Sequence, residues 1–263
     1  MDLKLHQKVA LVTGSSKGLG FATALKLAEE GARVAINGRG SEALQKAAED
    51  IRSRTGAQVF SLAGDVTRPD VPASLVNQVL DHFGQLDLLV CNAGGPPSGS
   101  FESFSDEQWQ YAIELSFLSQ VRLIRAALPA LRQSGTASVL TITSYSVKQP
   151  IPNLVLSNSI RSATIGLTKT LALELGSESI RFNSILPAWT ETQRVYDLMN
   201  ARAKVSGRTI EEELSLQAAS SPMGRMSTPE EFANAAVFLL SPAASYITGV
   251  MLTVDGGMYK GTL

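Results

Sequence analysis

A glycine-rich turn near the start of the chain has the residue types of a phosphate-binding loop. Residues 13–20 read Thr-Gly-Ser-Ser-Lys-Gly-Leu-Gly, between the apolar run Val9–Val12 and an amphipathic stretch that starts near Gly18. A strand that ends in such a turn and feeds a helix directs several backbone N–H groups, and the positive end of the helix dipole, at one point. Glycine is needed because a Cβ would hold a ligand's phosphates away from the backbone. The turn therefore predicts a pyrophosphate site; the alternative is a tight strand–helix turn that holds no ligand.

Short apolar runs alternate with amphipathic stretches along the chain, and these are the elements that would position the turn. The predicted strands are Val9–Val12, Arg33–Asn37, Gln58–Leu62, Leu86–Cys91, Ser138–Thr143, Ile180–Leu186 and Met251–Val254. The predicted helices are Gly18–Glu30, Glu42–Arg54, Val71–Phe83, Asp106–Arg132, Leu156–Leu175, a poorly defined stretch near 191–218, and Pro229–Leu240. This alternation predicts an α/β fold: a single-domain, Rossmann-type doubly wound parallel sheet of about seven strands with helices on both faces.

Capping signals mark several of the predicted helix ends. Capping boxes are predicted at Ser105 with Gln108 and at Thr228 with Glu231. Gly31 and Gly176 follow helical patterns and suit left-handed C-terminal caps. No composition break or linker divides the chain, so residues 1–263 are predicted to form one domain.

Composition and charge exclude several classes of function. The 263 residues are 44% hydrophobic and 18% charged, which is typical of a folded protein with a large core. The net charge of −1 gives no general attraction to nucleic acid or to an anionic membrane. The single cysteine, Cys91, cannot form an internal disulfide, and His6 and His82 belong to no metal-ligand pattern. The absence of a signal-like start or a bilayer-length apolar run predicts a soluble, cytoplasmic protein without a metal.

Further glycines and polar residues follow the predicted strands at their carboxyl ends, where open α/β sheets bind ligands. They are Asp65-Val66, Asn92-Ala93-Gly94, Ser144, Pro187 with Thr192, and Asp255-Gly256-Gly257. Together with the glycine turn, this set resembles the short-chain dehydrogenase/reductase family over nearly the whole chain, and it is most similar to the β-ketoacyl reductase-like branch. The resemblance implies an oxidoreductase with a nicotinamide dinucleotide site.

The resemblance also implies which residues hold the cofactor. The pyrophosphate would be held by Gly14, Gly18, Gly20 and the backbone near Ser16 and Leu19. Asp65 and Val66 would contact the adenine. Asn92, the first residue of Asn92-Ala93-Gly94, would fix the fourth strand against the cofactor. The Pro187–Thr192 segment would hold the nicotinamide carboxamide. Taken singly, Asp65 and Asn92 are equally typical of ordinary turn residues.

The end of the second predicted strand bears on the choice between NAD and NADP. The chain reads Asn37-Gly38-Arg39 there and lacks the acidic residue that bonds the ribose hydroxyls of NAD. Arg39 can instead grip a 2′-phosphate with its planar fork, and Lys17 adds a second positive charge. We therefore predict NADP as the cofactor, with NAD as the alternative. The competing interpretation is that Arg39 and Lys17 are ordinary solvated charges that bind no phosphate.

The catalytic positions implied by the resemblance hold unusual residues. The family carries a Tyr-x-x-x-Lys pair about thirteen residues beyond its catalytic serine, and counting from Ser144 those positions hold Ser157 and Arg161. Ser116, seven residues after Trp109, stands where the family has an asparagine. Positions 157 and 161 still share a helix face, but a serine hydroxyl is a much weaker acid than a tyrosine, and an arginine stays protonated. Arg161 can bind ribose hydroxyls or stabilise an anionic oxygen.

Two further residues beyond Ser144 are candidates for the missing acid. Lys148 is predicted as a proton donor or as an anchor for an anionic substrate, with a surface lysine as the alternative. Tyr145 is expected to point away from the site, because neighbouring extended residues alternate sides. The sequence thus favours an NADP-dependent oxidoreductase that acts on a carbonyl or alcohol with a non-standard proton donor. The alternatives are a silent NADP-binding sensor or scaffold, and a non-redox dehydratase or epimerase.

The remaining expectations concern the substrate side and the assembly. Residues 191–226 lie where the family places a substrate lid, and they are otherwise a flexible surface loop. Trp189 and Met199 would line an apolar pocket or belong to the core. The resemblance also implies a small-molecule substrate and a homodimer or homotetramer that pairs through the helices at 106–132 and 156–175.

Overall fold

One parallel sheet organises the molecule. The computed structural model describes residues 1–262, and within them the strands are β1 (Val9–Val12), β2 (Arg33–Gly38), β3 (Val59–Ala63), β4 (Leu88–Cys91), β5 (Ser138–Ile142), β6 (Arg181–Pro187) and β7 (Met251–Val254). All neighbouring pairs are parallel, in the order β3-β2-β1-β4-β5-β6-β7. The chain winds outward in both directions from β1 and β4, and such a switch point opens a crevice at the carboxyl ends of the strands. The predicted doubly wound α/β fold is confirmed.

Helices cover both faces of this sheet. They are α1 (Gly18–Glu29), α2 (Ser41–Thr55), α3 (Val71–Phe83), α4 (Asp106–Ile113), α5 (Ser119–Leu131), α6 (Val155–Leu175), α7 (Gln193–Ser206), α8 (Ile210–Ala219) and α9 (Pro229–Leu240). None of the helices within residues 1–262 combines the length and the apolar character that a bilayer crossing demands.

The alternation of side chains along the buried strands divides the core into two layers. Ala10 and Val12 of β1 pack with α1, α2 and α9, whereas Val9 and Leu11 pack with α3 and α5. Every residue of β1 is buried, because helices exclude water from both sides of the strand. The central strands are therefore held rigidly, and their carboxyl ends form a fixed edge on which the site is built.

The segment 106–132 differs from the single helix that we predicted. A π-helical turn at Glu114–Leu118 separates α4 from α5. A π-turn inserts one extra residue per turn, which shifts the phase of the helix without changing its apolar composition. The stretch near 191–218 also resolves into two helices, α7 and α8, and a capping box of Thr209 with Glu212 starts the second.

The predicted capping boxes at Ser105 and Thr228 are confirmed. Gly31, which follows the C-cap residue Glu30 of α1, adopts a positive φ of 82°, as the sequence indicates. The prediction for Gly176 is wrong, because this residue is right-handed and continues α6 into a short 3-10 turn. The left-handed conformation falls instead on Ser179, at φ 61°.

Candidate active site

A cleft of about 430 Å³ opens along the carboxyl edge of the sheet. The ends of strands β1 to β6 meet there with residues from α4, α6 and the first turns of α7. The predicted site residues that line it are Gly14, Ser16, Lys17, Gly18, Leu19, Arg39, Asp65, Val66, Asn92, Ala93, Gly94, Ser144, Ser157, Arg161, Pro187 and Thr192. Gly20 and Lys148 are not in its lining.

The glycine turn is tied to β4 by a set of hydrogen bonds around Asn92. The Asn92 carboxamide donates to the Gly14 carbonyl at 2.9 Å, and the Thr13 hydroxyl donates to the Asn92 carbonyl at 2.8 Å. The Asn92 backbone N–H in turn donates to the Thr13 hydroxyl at 3.0 Å. These bonds fix the turn in one shape, so its free N–H groups keep their direction before any ligand arrives.

Two of the glycines in the turn are required by close packing. Gly14 has a φ of 57°, and a Cβ on it would lie 2.9 Å from the Asn92 carbonyl oxygen. A Cβ on Gly20 would overlap the Gly14 carbonyl oxygen and lie 2.7 Å from the Asn92 side-chain nitrogen. Gly20 therefore packs against the turn on the side away from the cleft. Gly94 differs, because a Cβ there would meet nothing within 4 Å and would enter the cleft. A phosphate-bearing ligand fits this cradle.

The two positive charges at the end of β2 both line the cleft. Lys17 comes from the glycine turn and Arg39 from the residue after β2. Asn37 replaces the expected acidic residue, and its carboxamide donates to the carbonyls of Leu62 at 2.9 Å and Gly64 at 3.1 Å. Because the Asn37 carboxamide is bonded to these two carbonyls, Lys17 and Arg39 are the side chains at the end of β2 that can contact a ligand.

Asp65 forms a turn with Thr67 and also lines the cleft. One carboxylate oxygen accepts from the Thr67 backbone at 3.0 Å and from the Thr67 hydroxyl at 2.9 Å, which is a typical turn arrangement. Asp65 and Val66 nevertheless line the cleft, as an adenine contact requires.

Ser144 stands at the other end of the cleft, directly beyond β5. Its hydroxyl oxygen accepts from the Ser146 backbone N–H at 3.1 Å and so starts a short 3-10 turn. This bond uses a lone pair and leaves the hydroxyl hydrogen free to donate to a ligand oxygen.

Ser157 and Arg161 lie one turn apart on α6 and both line the cleft. Arg161 is 8% exposed, and its Nη1 donates to the carbonyls of Ile142 at 2.9 Å and Thr143 at 3.1 Å. Burial, and then the positive charge of Arg194, lower the pKa of Arg161 to about 10. The guanidinium remains charged at neutral pH and is anchored beside Ser144.

Ser116, which the resemblance places at the family's asparagine position, is not in the cleft lining. It is buried in the π-helical turn, and its carbonyl accepts from the Thr164 hydroxyl at 3.1 Å and the Gln120 side chain at 2.9 Å. Its own hydroxyl has no hydrogen-bond partner within residues 1–262. The structure therefore brings Ser144, Ser157 and Arg161 together but leaves Ser116 outside.

Lys148 lies outside the cleft lining, whereas Tyr145 lines the cleft, so the expectation that Tyr145 points away from the site is wrong. The Lys148 ammonium lies 5.1 Å from the centre of the Tyr259 ring. The Tyr145 hydroxyl oxygen accepts from the Trp189 indole N–H. Burial raises the pKa of Tyr145, and the charge of Arg202 opposes this shift. Lys148 therefore presents no acid at the cleft, and the raised pKa makes Tyr145 a weaker acid than an ordinary tyrosine.

Residues 191–226 supply one wall of the cleft. Thr192, Gln193, Arg194, Val195 and Leu198 line it, and Arg194 donates to the Pro96 carbonyl on the opposite wall at 2.8 Å. Trp189 lies in both the cleft lining and a buried apolar cluster, whereas Met199 is fully buried in that cluster. Sequence reasoning missed Arg194 and also Tyr111, which reaches the cleft from α4. No group of three potential metal ligands occurs among residues 1–262.

Comparison with known proteins supplies the family. The family model described as enoyl-(acyl carrier protein) reductase matches residues 14–259. The chain belongs to the short-chain dehydrogenase/reductase family. Its match to 3-oxoacyl-acyl-carrier-protein reductase FabG of Chlamydia muridarum is 34% identical and covers 98% of this chain and 100% of the relative. The resemblance seen in the sequence, including the β-ketoacyl reductase-like branch, is confirmed.

Other members of this oxidoreductase family are equally similar. A 3alpha-hydroxysteroid dehydrogenase of Mediterraneibacter gnavus is 34% identical over 97% of this chain and 98% of the relative. The crystal structure of L-sorbose reductase from Gluconobacter frateurii, complexed with NADPH and L-sorbose, superposes with a TM-score of 0.95. It is 34% identical, with 99% of this chain and 100% of that chain covered. Short-chain dehydrogenases and reductases with similar folds thus act on chemically different substrates.

Proposed function

We propose that the protein is an NADPH-dependent oxidoreductase that interconverts a carbonyl and an alcohol without a tyrosine as proton donor. The proposal rests on one observation: the glycine turn, the charged pair Lys17 and Arg39, and Ser144 all line the same cleft. The first two parts recognise a phosphorylated dinucleotide, and the third offers a hydrogen-bond donor to a substrate oxygen.

The coenzyme is held by residues already described. The backbone of Gly14 to Gly20 binds the pyrophosphate, Arg39 and Lys17 bind the 2′-phosphate, and Asp65 with Val66 contacts the adenine. Asn92 keeps the turn in shape, and Pro187 to Thr192 border the nicotinamide. When bound, NADPH supplies a hydride to the carbonyl carbon. The complex of the similar L-sorbose reductase with NADPH supports this choice over NADH.

The substrate oxygen is activated by Ser144 and Arg161. The Ser144 hydroxyl is oriented by the Ser146 N–H and donates to the carbonyl oxygen. Nη1 of Arg161 donates to the carbonyls of Ile142 and Thr143. Its other N–H groups are available to stabilise negative charge as it develops on the oxygen. Ser157 is a short side chain and leaves space for water, so solvent delivers the proton that tyrosine supplies elsewhere in the family.

The proposal also covers the domain organisation, the lid and the assembly of the protein. The chain is one catalytic domain, residues 191–226 form a lid that borders the substrate, and the protein assembles as a homodimer or homotetramer. The hydrogen bond from Arg194 to Pro96 supports the role of α7 as a lid, because it joins the two walls of the cleft.

The test is NADPH oxidation across a panel of ketones, aldehydes and keto sugars that includes L-sorbose. We expect turnover with at least one class, and we expect Ser144→Ala to lower kcat/KM about 100-fold, as losses of one oxyanion donor do. Ser146→Ala is the matched control, since its hydroxyl is two residues away, buried and outside the cleft lining. Equal activity of the two variants would contradict the role given to Ser144.

A second candidate is an NADPH-binding protein without turnover. Three of the four catalytic positions of the family hold other residues, namely Ser116, Ser157 and Arg161. Calorimetric binding of NADPH together with no turnover on the whole panel favours this candidate. Product formation without net NADPH consumption points instead to dehydratase or epimerase chemistry.

A further inference from the structure

The lining of the cleft contains more basic than acidic side chains. Among the described residues that line the cleft, the basic ones are Lys17, Arg39, Arg161 and Arg194, and Asp65 is the only acidic one. Lys17, Arg39 and Asp65 lie at the dinucleotide end. The two arginines lie at the end that holds Ser144, in a protein whose net charge is −1.

Arg161 is unusual because it is buried without a carboxylate partner. Its side chain is more than nine-tenths buried, and no Asp or Glu of residues 1–262 lies within 4.0 Å of its guanidinium. Backbone carbonyls of Ile142 and Thr143 satisfy Nη1 only. A buried cation is costly unless an anion meets it, so the free side of this guanidinium is suited to a negatively charged ligand.

Arg194 brings a second guanidinium to the same place from the lid. It stands in the first turn of α7, and its Nη2 donates to the Pro96 carbonyl at 2.8 Å. Its charge is close enough to Arg161 to act on it electrostatically, although the mutual repulsion is unfavourable. Burial lowers the pKa of Arg194 and the charge of Asp197 opposes this shift, but no ion pair within 4.0 Å joins the two in the described chain, and the Asp197 carboxylate accepts from Gln193 at 3.0 Å. Two like charges held together indicate a shared anionic partner.

We propose that Arg161 and Arg194 recognise an anionic group on the substrate, a carboxylate or a phosphate, attached close to the carbonyl carbon that is reduced. This inference rests on the proposed function, whose cleft and reaction it uses. Planar guanidinium groups bind the paired oxygens of carboxylate and phosphate in a fork. The anion would be held by α6 from one side and by the lid from the other, so it also draws the lid over the reacting carbonyl.

Matched pairs of substrates test the proposal directly. The pairs are a short 2-oxo acid with its methyl ester, a 3-oxo acid with its ester, and dihydroxyacetone phosphate with dihydroxyacetone. We expect the anionic member of at least one pair to have a kcat/KM at least tenfold higher. The pair that shows this preference distinguishes carboxylate from phosphate. A preference for the neutral member in all three pairs would overturn the proposal.

Substitution of Arg194 separates substrate recognition from other roles. We expect Arg194→Met to raise KM for the anionic substrate about 10- to 100-fold, and for its neutral partner by less than about threefold. Arg194→Lys should recover part of the loss because it keeps the charge without the fork. Lys204→Met is the control, because it removes an exposed positive charge from the same helix. Equal losses for both substrates, or weaker NADPH binding in place of weaker substrate binding, would contradict the assignment.

A binding measurement keeps this test independent of turnover. Malonate and inorganic phosphate serve as unreactive probes, titrated calorimetrically into the wild type and Arg194→Met, with and without NADP. Tighter binding of one probe by the wild type supports the anion site even if no carbonyl is reduced, in which case only the proposed function fails. Turnover of neutral carbonyls without any binding of either anion overturns the anion site alone.

Discussion

Arg161 performs a structural and a chemical role with different parts of one side chain. Its Nη1 holds the end of β5 through two carbonyls, while the rest of the guanidinium borders the cleft. A lysine at this position has three donors on one atom and cannot divide them between two directions in the same way. The residue thus keeps the anchoring of α6 to the strand end, but it offers a fixed positive charge in place of a transferable proton.

Arg39 should determine the preference between the two coenzymes. We expect Arg39→Ser to weaken NADPH binding about 10- to 100-fold, because a charge-assisted bond to the 2′-phosphate is lost. NADH binding should change less than about twofold, since NADH has no phosphate there. Fluorescence titration with both coenzymes measures the ratio.

Arg68→Ser is a suitable control for this change, because Arg68 is 71% exposed and does not line the cleft. An equal loss of affinity for NADPH and NADH in Arg39→Ser would show that Arg39 acts on something other than the 2′-phosphate.

At the residue scale, prediction succeeded where a residue type is required by backbone geometry. The glycines of the first turn could be read from the sequence because a Cβ at 14 or 20 is incompatible with the observed packing. Lys148 and Arg194 could not be placed, since their neighbours, Tyr259 and Pro96, are distant in the sequence. Nothing in the residue pattern separates Arg194 from Arg202.

Among the elements, the first strand–turn–helix unit depends on Gly20. We expect Gly20→Ala to lower the free energy of unfolding by about 1 to 3 kcal/mol, the usual cost of overpacking. It should also weaken NADPH binding by at least tenfold, because the added methyl displaces the Gly14 carbonyl that Asn92 holds. Urea unfolding and a coenzyme titration on the same samples measure both effects.

Gly135→Ala provides the comparison, since a Cβ there meets nothing within 4 Å. If Gly20→Ala behaved like Gly135→Ala in both measurements, the close packing around the turn would not have the importance given to it.

The start of α9 should make stability depend on pH. Glu231 accepts from Arg225 at 2.6 and 2.8 Å and from the Thr228 backbone at 2.9 Å. The Arg225 bond, and then the Thr228 bond, lower the pKa of Glu231 to about 2 from an ordinary 4.5. A lowered folded-state pKa means that this contribution is present above about pH 4.5 and is lost as the pH falls toward 2.

Unfolding measured from pH 5 to pH 2 should therefore show a shallower loss of stability in Glu231→Gln than in the wild type. Glu230→Gln removes the same charge from the same helical turn and should keep the wild-type slope. Identical slopes in all three proteins would exclude the linkage.

Helix and strand positions were largely predictable, and the exceptions have physical reasons. Strands such as β1 and β4 are short apolar runs buried on both sides, which gives an unambiguous signal. The π-helical turn at Glu114–Leu118 leaves the apolar pattern intact, so the sequence shows one helix where the structure has two. The capping box at Thr209 was readable but lay inside a stretch without clear periodicity.

For the whole molecule, an exposed apolar residue on the long helix α6 favours self-association. Leu173 on α6 is 75% exposed. We expect the wild type to be a dimer or tetramer, and Leu173→Glu to lower its mass in light scattering, because a charge would be buried in the interface.

Val205→Glu is the control for this substitution, since Val205 is 90% exposed but lies on α7. A monomeric wild type, or a Leu173→Glu variant with unchanged mass, would contradict assembly through α6.

The bond between Arg194 and the Pro96 carbonyl has a kinetic consequence. It bridges the cleft above the Ser144 end, so anything beneath it has to arrive before the bridge forms and stays until it breaks. A substrate held beneath this bridge would therefore leave only after the bond opens.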